Sequence, residues 1–311
     1  MTYEQFCEYV KNHILDGMEE KEVMTAVMKD VKKNNNIILK ALVVAKNETD
    51  IFYNIYLEDY YMEYCQGEKS LEEMLLSIRE NHLAKEVKEF LPFNLNSFKE
   101  ENIVGCVVSN CNNEVFLRDL PFIPAGDFAV VFKYYITELA EGGAGTILIT
   151  DGIAERIGCT RMKLLELALQ NTPKHFPLEM YHMEEVLLKL MSEETLSLLK
   201  EVGMITDVWY LTNKQEYDGA FTILYEETKE MLLQKFNGNI IFIPVSTNEW
   251  LLISEDKKDC FGNLEKIIMT ENEKMMQKEN ILGERAYLLK REDLLKKETM
   301  LLKLLTPITG R

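Results

Sequence analysis

Short apolar runs separated by turn residues are the feature that most limits what this chain can fold into. The longest runs are the size of one strand, such as 240–243, and none approaches the roughly 18 apolar residues that a membrane span needs. In the last third, β-branched runs predict strands at 208–211, 221–225, 240–245, 250–254 and 286–289, with helices at 226–236 and 263–276. We therefore expect an α+β fold with mixed or antiparallel sheets and helices packed on their faces.

The first two thirds carry the same mixture of patterns. A first helix is expected at 3–17, and a hairpin over 22–46, because the asparagines at 34–36 suit a tight reversal. Ser70 followed by Glu73 is a capping box that predicts a helix at 71–81. Thr160 caps another helix, which Pro173 is expected to end. Further strands are predicted at 51–56, 103–108, 128–135 and 146–150, and further helices at 113–119 and 183–200.

The length of 311 residues predicts two subdomains, at about 150 residues for each domain. Residues 83–100 are polar and interrupted by proline, so we place a soft boundary there. The expected divisions are an N-terminal α/β subdomain at 1–95, a central and C-terminal α+β domain at 96–283, and a tail at 284–311.

The tail combines a final strand with leucines that recur every seven residues. This spacing predicts a C-terminal amphipathic helix after the strand. The helix could dock on its own body, pair with the helix of a protein partner, or touch a membrane surface, and its net charge of about +2 is weak for the last of these. The residues that would contact a partner helix are Leu288, Leu294, Leu295, Leu301 and Leu302.

Charge and cysteine use limit the compartment and the partners. The formal net charge is −17, which argues against direct binding to the nucleic-acid backbone, because such binding needs a clustered cationic surface. We see neither a secretory signal nor a membrane span. The six cysteines are scattered without a Cys-x-x-Cys pair, so we expect reduced thiols in the cytoplasm and no metal or other cofactor.

Catalytic signatures are scarce in the sequence. It has no Gly-x-Ser-x-Gly nucleophile elbow and no His-Glu-x-x-His zinc motif. One weak pattern is Asp218 followed by Glu227 and Lys229. Two carboxylates and a lysine in this order hold a magnesium ion and orient water in some nucleases. A solvated first helical turn explains the same three residues.

Polar residues at two strand ends are the other candidate site. If the two strands are neighbours, their side chains converge on one rim, where a small polar ligand could bind. Ordinary turns account for the same residue types, since asparagine and serine favour reversals. The candidate ligand-binding residues are Thr212, Asn213 and Lys214 after one strand and Ser246, Thr247, Asn248 and Glu249 after the other.

Several stretches in order resemble one known family. They are Tyr56-Leu57, Leu148-Ile149-Thr150, the helix that ends in Ala168-Leu169-Gln170-Asn171-Thr172-Pro173, Tyr210-Leu211-Thr212-Asn213-Lys214, Gly219-Ala220, and Ile243-Pro244-Val245-Ser246-Thr247-Asn248-Glu249. Together they resemble domain of unknown function 5688, an uncharacterised family of anaerobic Gram-positive bacteria. The resemblance spans roughly residues 3–290. It implies a cytoplasmic α+β protein without an established activity. It also implies a histidine at the place of Asn248, so a histidine-based role at the rim is not expected here.

These observations favour a soluble, non-catalytic binding or regulatory module that acts through protein–protein contacts. The missing catalytic signatures, the acidic surface and the leucine-striped tail motivate this expectation. Two alternatives remain open. One is a metal-dependent hydrolase or nuclease-like enzyme, and the other is an acidic inhibitor that mimics nucleic-acid phosphate.

Overall fold

The computed structural model describes residues 1–18, 24–45, 54–83, 98–111, 113–138, 144–190, 207–257, 264–274, 277–296 and 300–308. Over these ranges the backbone forms helices and three antiparallel sheets, which confirms the α+β class. The chain divides into two compact units, Met1–Lys33 with Ile37–Phe98 and Asn34–Asn36 with Lys99–Arg311. The division after Phe98 lies close to the limit set at 95. The tail from 284 belongs to the second unit, and most of the soft boundary, 84–97, lies outside the described residues.

The first unit is a three-stranded sheet with three helices. The helices are α1 (Tyr3–His13), α2 (Glu58–Gln66) and α3 (Leu71–Ile78), and the strands β1 (Thr25–Lys32), β2 (Ile38–Ala45) and β3 (Ile55–Tyr56) lie in that order. Thr2 starts α1 through a capping box with Gln5, and Ser70 starts α3 with Glu73, as predicted for the second pair. Helix side chains such as Phe6 and Met74 pack with Leu42 of β2 in one core. The predicted hairpin is therefore confirmed over 25–45, and its outer residues 22–23 and 46 lie outside the description.

A four-stranded sheet opens the second unit, with one long strand at its centre. The strands are β4 (Ile103–Ser109), β5 (Ile123–Ala125), β6 (Phe128–Glu138) and β7 (Ala144–Leu148), and the helices are α4 (Glu114–Leu117), α5 (Asp151–Arg156) and α6 (Arg161–His175). β6 pairs with β4 along one edge and with β5 and then β7 along the other. The strands predicted at 103–108, 128–135 and 146–150 are confirmed, with small differences at their ends.

The second sheet of this unit has six antiparallel strands. They are β8 (Leu178–His182), β9 (Val208–Asn213), β10 (Ile240–Ser246), β11 (Glu249–Ser254), β12 (Tyr287–Leu289) and β13 (Thr306–Pro307), in the order β13-β12-β10-β11-β9-β8. The helices are α7 (Met183–Leu190), α8 (Glu226–Lys235), α9 (Leu264–Lys274) and α10 (Arg291–Leu294). One face buries Ile241 and Ile253 against Leu264 and Ile268 of α9. Of the predicted helices, 191–200 and the positions 263, 275 and 276 lie outside the described residues.

The strand predicted at 221–225 is wrong. Residues Gly219–Leu224 form a 3-10 helix instead, and the five from Gly219 to Ile223 are buried in succession. Phe221 lies so close to β4 that a Cβ added to Gly105 would come within 2.2 Å of its ring. Because a short run that is buried on all sides has neither helical nor strand periodicity, the sequence pattern did not separate the two structures.

The expected end of α6 at Pro173 is also wrong, since the helix continues to His175. Proline removes one backbone donor, and its cost is small so close to the end, where only two helical residues follow. The turn is held by neighbours: the Thr172 hydroxyl donates to the Ala168 carbonyl at 2.5 Å and accepts from the Gly105 amide at 3.0 Å. The hydrogen bond from Gly105 of β4 to Thr172 thus stabilises the last turn of the helix, which continues for two residues beyond Pro173.

The predicted amphipathic helix of the tail is wrong over the residues that the structure describes. The final strand is confirmed as β12, but it is followed by the single turn α10, a 3-10 turn at Leu301–Lys303 and the strand β13. Of the five leucines proposed for a partner helix, Leu294, Leu301 and Leu302 are buried, Leu288 packs partly on the core, and Leu295 is 65% exposed. Over its described residues the tail therefore packs on its own unit, and these five leucines do not form one exposed stripe there.

Candidate functional site

The two strand ends that the sequence singled out do lie together. β9 pairs with β11, and the two-residue turn of Thr247 and Asn248 joins β10 to β11. The Thr212 hydroxyl donates to the Asn248 carbonyl at 2.7 Å, and the Asn248 side-chain oxygen accepts from the Asp218 amide at 3.0 Å. A Cβ on Gly219 would lie 2.1 Å from the same Asn248 carbonyl. The rim is a tightly closed junction of three segments.

Most polar groups of this rim are used to hold its own backbone. The Asn213 side chain donates to the Tyr217 carbonyl at 2.7 Å and accepts from the Gln215 and Tyr217 amides. The Ser246 hydroxyl accepts from the Asn248 amide, and the Thr247 amide donates to Asn280. These bonds are typical of turns. Lys214 is exposed, and ligand binding at the rim remains a prediction.

Glu249 is the acidic residue among the seven candidates of the rim, and its side chain is largely shielded from solvent. Burial, and after it the charge of Glu216, raises the pKa of the Glu249 carboxyl. Nearby, the rings of Tyr181 and Tyr210 stack at 5.4 Å on β8 and β9. Burial, with Glu216 and Glu249 next in effect, raises the pKa of Tyr181 to about 12. Burial therefore disfavours the ionised forms of Glu249 and Tyr181 at this end of the sheet.

Asp218 does not join the proposed magnesium set, because it forms an ion pair with a lysine from the other sheet of the unit. Its carboxylate accepts from the Lys133 ammonium at 2.6 Å, and the two side chains are only 10% and 19% exposed. Burial works to lower the pKa of Lys133, but the charge of Asp218 holds that pKa well above its ordinary value. Lys133 also donates to the Tyr217 hydroxyl, which bonds Thr146. The pair is therefore a cross-link between the turn after β9 and strand β6.

The other two members of that set are placed apart from it. Lys229 donates to the main-chain carbonyl of Lys296, and Glu227 is an exposed residue in the first turn of α8. Over the described ranges, no three His, Cys, Asp or Glu side chains come together in a way that would hold a metal ion. The geometry thus matches a solvated helical turn better than a magnesium site.

A pocket of about 270 Å³ opens elsewhere in the second unit, at residues that the sequence did not indicate. Asp127 lies in the two-residue turn between β5 and β6, where Gly126 supplies the positive φ of 66° that such a turn needs. Tyr287 on β12 donates its hydroxyl to the Asp127 carboxylate at 3.0 Å. Arg285 and Glu284 come from the segment before β12, and Cys111 from the segment after β4.

A hydrogen-bond network of four asparagines, three consecutive and one distant in sequence, holds one wall of this pocket in place. Asn35 and Asn36 adopt left-handed angles, with φ of 61° and 55°, as expected for the reversal. The Asn35 side chain donates to the carbonyls of Lys278 and Ile281, both at 2.8 Å. The fully buried Asn113 donates to the Asn34 side chain and accepts from the Asn35 amide. This network holds the segment 278–281 in place and so fixes the part of that segment that lines the pocket.

The charges that border the pocket differ in how far they are compensated. Lys278 is occupied, because its ammonium donates to the carbonyls of Asn272 and Glu273 at the end of α9. In contrast, Arg285 and Glu284 are exposed and make no ion pair with any described residue. The Asp127 carboxylate accepts from the Tyr287 hydroxyl and lies against the Cys111 thiol, so neither of these partners brings a positive charge. Arg285 and Asp127 are therefore available to a ligand.

Two described thiols and two described histidines lie in surroundings that are not typical of reactive groups. Burial raises the pKa of Cys106 to about 12, and burial together with Asp127 raises the pKa of Cys111. His175 bonds the Glu101 carbonyl and stacks on Tyr135, whereas His182 bonds Asp207. The two histidines thus serve separate local contacts.

Comparison with known proteins identifies one family. The model of a family of unknown function, DUF5688, matches residues 3–291 of the 311. No curated protein and no solved structure matches the chain. Over the described residues, every helix is too short or too polar to cross a membrane.

Proposed function

This chain belongs to DUF5688, a family of unknown function, and we propose that it is a non-catalytic binding or regulatory module. One contrast within the second unit carries the proposal. Asp218, which the sequence placed in a magnesium set, is shielded and joined to Lys133 at 2.6 Å, whereas Asp127 and Arg285 border an open pocket without an ion-pair partner in the described part of the chain. Uncompensated charge at a concave surface is a source of binding energy, while a paired and buried charge offers none to a ligand.

We propose that this module acts by contacting a protein partner. The net charge of −17 favours a partner whose contact surface is basic, since complementary charge steers association. The five cysteines that the structure describes are free thiols, which supports a reducing compartment such as the cytoplasm. Cross-linking in cells followed by mass spectrometry identifies such partners and tests whether their contact surfaces are basic. Partners that use neutral or acidic surfaces would count against it.

Binding is distinguished from catalysis by measuring the melting temperature of the protein and the chemical identity of the ligand after incubation. The full chain is screened by thermal shift against metabolite pools, nucleotides, magnesium, manganese and zinc, and each ligand is then analysed by mass spectrometry after long incubation. At 100 times its Kd, a ligand stabilises the native state by about 2.7 kcal/mol, which is a shift of several degrees in Tm.

The expected result is a ligand that raises Tm and is recovered unchanged. Arg285→Ala should remove the shift, whereas Arg118→Ala, which deletes an exposed arginine outside the pocket, should retain it. Conversion of any ligand into a product by the wild-type chain would overturn the proposal, whatever the thermal shift.

A further inference from the structure

The pocket of the second unit offers one cationic and one anionic contact. The guanidinium of Arg285 is exposed at its border and has no ion-pair partner in the described part of the chain. Guanidinium presents a planar fork of donors that matches a carboxylate. This side of the pocket is therefore suited to a ligand carboxylate.

Asp127 supplies the complementary contact. Its position is fixed twice, because its main-chain carbonyl accepts from the Asn110 amide at 2.7 Å and one carboxylate oxygen accepts from Tyr287. The Cys111 thiol is the other side-chain partner of this carboxylate, and it is a weak donor without positive charge. A fixed carboxylate whose partners are a phenol and a thiol still lacks a cation, so it is suited to a ligand ammonium.

The surrounding charges exclude simpler ligands. A ligand with only negative charge would meet Arg285 but would be repelled by Asp127 and by Glu284, and Lys278 is already bonded to two carbonyls. A ligand with only positive charge would leave Arg285 without a partner. A molecule with both charges satisfies both contacts.

The volume limits the size of that molecule. At about 30 Å³ for each water, a space of 270 Å³ corresponds to roughly nine waters. This lies just below the range for drug-sized ligands and leaves room for a small amino acid.

We propose that this pocket binds a small zwitterion of the α-amino-acid class, with its carboxylate on Arg285 and its ammonium on Asp127. The proposal deepens the binding function given above and rests on it. The pocket also contains Cys111, an exposed thiol that a bound ligand would cover. That thiol gives a local reporter of occupancy.

The test compares L-alanine and L-valine with matched molecules that lack one charge. Ethylamine and isobutylamine lack the carboxylate, and propionate and isovalerate lack the ammonium. Isothermal titration of the full chain should detect binding of at least one amino acid and at least tenfold weaker binding of its two analogues. Arg285→Ala and Asp127→Asn should each weaken binding by about tenfold to a hundredfold, while Arg118→Ala should leave it unchanged.

Alkylation supplies the second measurement. Iodoacetamide labelling at pH 8.5, read by peptide mass spectrometry, should slow at Cys111 when the amino acid is present. The exposed thiol of Cys65, in the first unit, should react at the same rate with and without ligand. Slowing at both thiols would indicate a general effect and would count against the pocket.

Each remaining outcome decides the matter. Failure of both amino acids to bind, equal binding of an analogue with one charge, or unchanged affinity in Arg285→Ala overturns the zwitterion assignment. If another class of ligand then binds without being converted, the proposed binding function stands and only this inference fails. If an amino acid binds and is converted, the pocket assignment stands and the non-catalytic function fails.

Discussion

Removing the carboxylate of Asp218 is the sharpest test of how the second unit is held together. Asp218→Asn keeps the size of the side chain and suits the left-handed backbone there, with φ of 50°, because asparagine also tolerates that conformation. The substitution deletes only the negative charge. The Lys133 ammonium, 19% exposed, then keeps only neutral acceptors among the described residues, namely the Tyr217 hydroxyl at 3.3 Å and the new amide oxygen at position 218.

The magnitude follows from an uncompensated charge. Breaking a buried ion pair by removing one partner costs about 3–5 kcal/mol, since the other charge stays desolvated. Replacing both charges is far less costly, so Lys133→Met combined with Asp218→Asn should recover most of that loss. The raised pKa of Lys133 also indicates that the ion pair contributes favourably to the free energy of unfolding. Stability from this group is fully present below the ordinary lysine pKa and is lost as pH rises through the higher folded-state pKa.

Urea unfolding followed by tryptophan fluorescence measures the effect, because both tryptophans, Trp209 and Trp250, belong to the second unit. For a unit of this size, a slope of about 3 kcal/mol per molar converts the loss into a midpoint lowered by roughly 1–2 M. Glu166→Gln is the control, since it removes an exposed pair with Lys163 at 3.6 Å and should cost less than about 1 kcal/mol. If Asp218→Asn costs no more than this control, or the double variant is the least stable, the reasoning is refuted.

Three further predictions concern the rim and the tail. Gly219→Ala should lower Tm by several degrees in a thermal melt, because its Cβ would lie 2.1 Å from the Asn248 carbonyl; an unchanged Tm would show that the junction can open at little cost. Glu249→Gln should raise Tm at pH 7 but not at pH 4, because a raised pKa makes stability fall as pH rises through the interval above the ordinary glutamate value; equal effects at both pH values would contradict this. Leu302→Ala, at a buried side chain, should cost about 2–5 kcal/mol in urea unfolding, whereas the exposed Leu295→Ala should cost little; equal costs would contradict docking of the tail.

Elements that depend on neighbours in sequence were predictable. The Ser70 capping box, the asparagine reversal and the hairpin of β10 and β11 each follow from the conformations that a few adjacent residues allow, and each is present. The start of α6 at Thr160 was predictable, but its end was not. The hydrogen bond that stabilises the last turn comes from Gly105, which lies 67 positions before Thr172 in the sequence.

The tail shows why spacing alone was insufficient. Leucines repeated every seven residues are compatible with one helical stripe, but here separate short turns bring Leu294, Leu301 and Leu302 into the core one after another. The seven-residue spacing includes three leucines that become buried, while Leu295 stays exposed. The spacing does not record whether one helix or several turns bury them, since tertiary packing decides between the two.

The candidate site was only partly predictable for the same reason. Neighbouring strands do bring Thr212 and Asn248 together, which the order of elements suggested. The pocket, however, joins a turn at Asp127 to Tyr287, 160 positions further on, and no motif connects them. Packing between the two sheets of the unit brings these residues together, with the rings of Phe128 and Tyr287 4.9 Å apart.

Asp218 and Asp127 show how surroundings, more than residue type, separate structure from function. Both are aspartates in turns, and both accept a hydrogen bond from a side chain of a distant strand. Asp218 faces a cation, so its charge is neutralised within the protein and nothing is gained by adding a ligand. Asp127 faces a neutral phenol and has no counter-charge among the described residues, and the same holds for Arg285 at the border of this pocket. Because a ligand gains most where the protein has left charge uncompensated, the proposed ligand would gain most of its binding energy at Asp127 and Arg285.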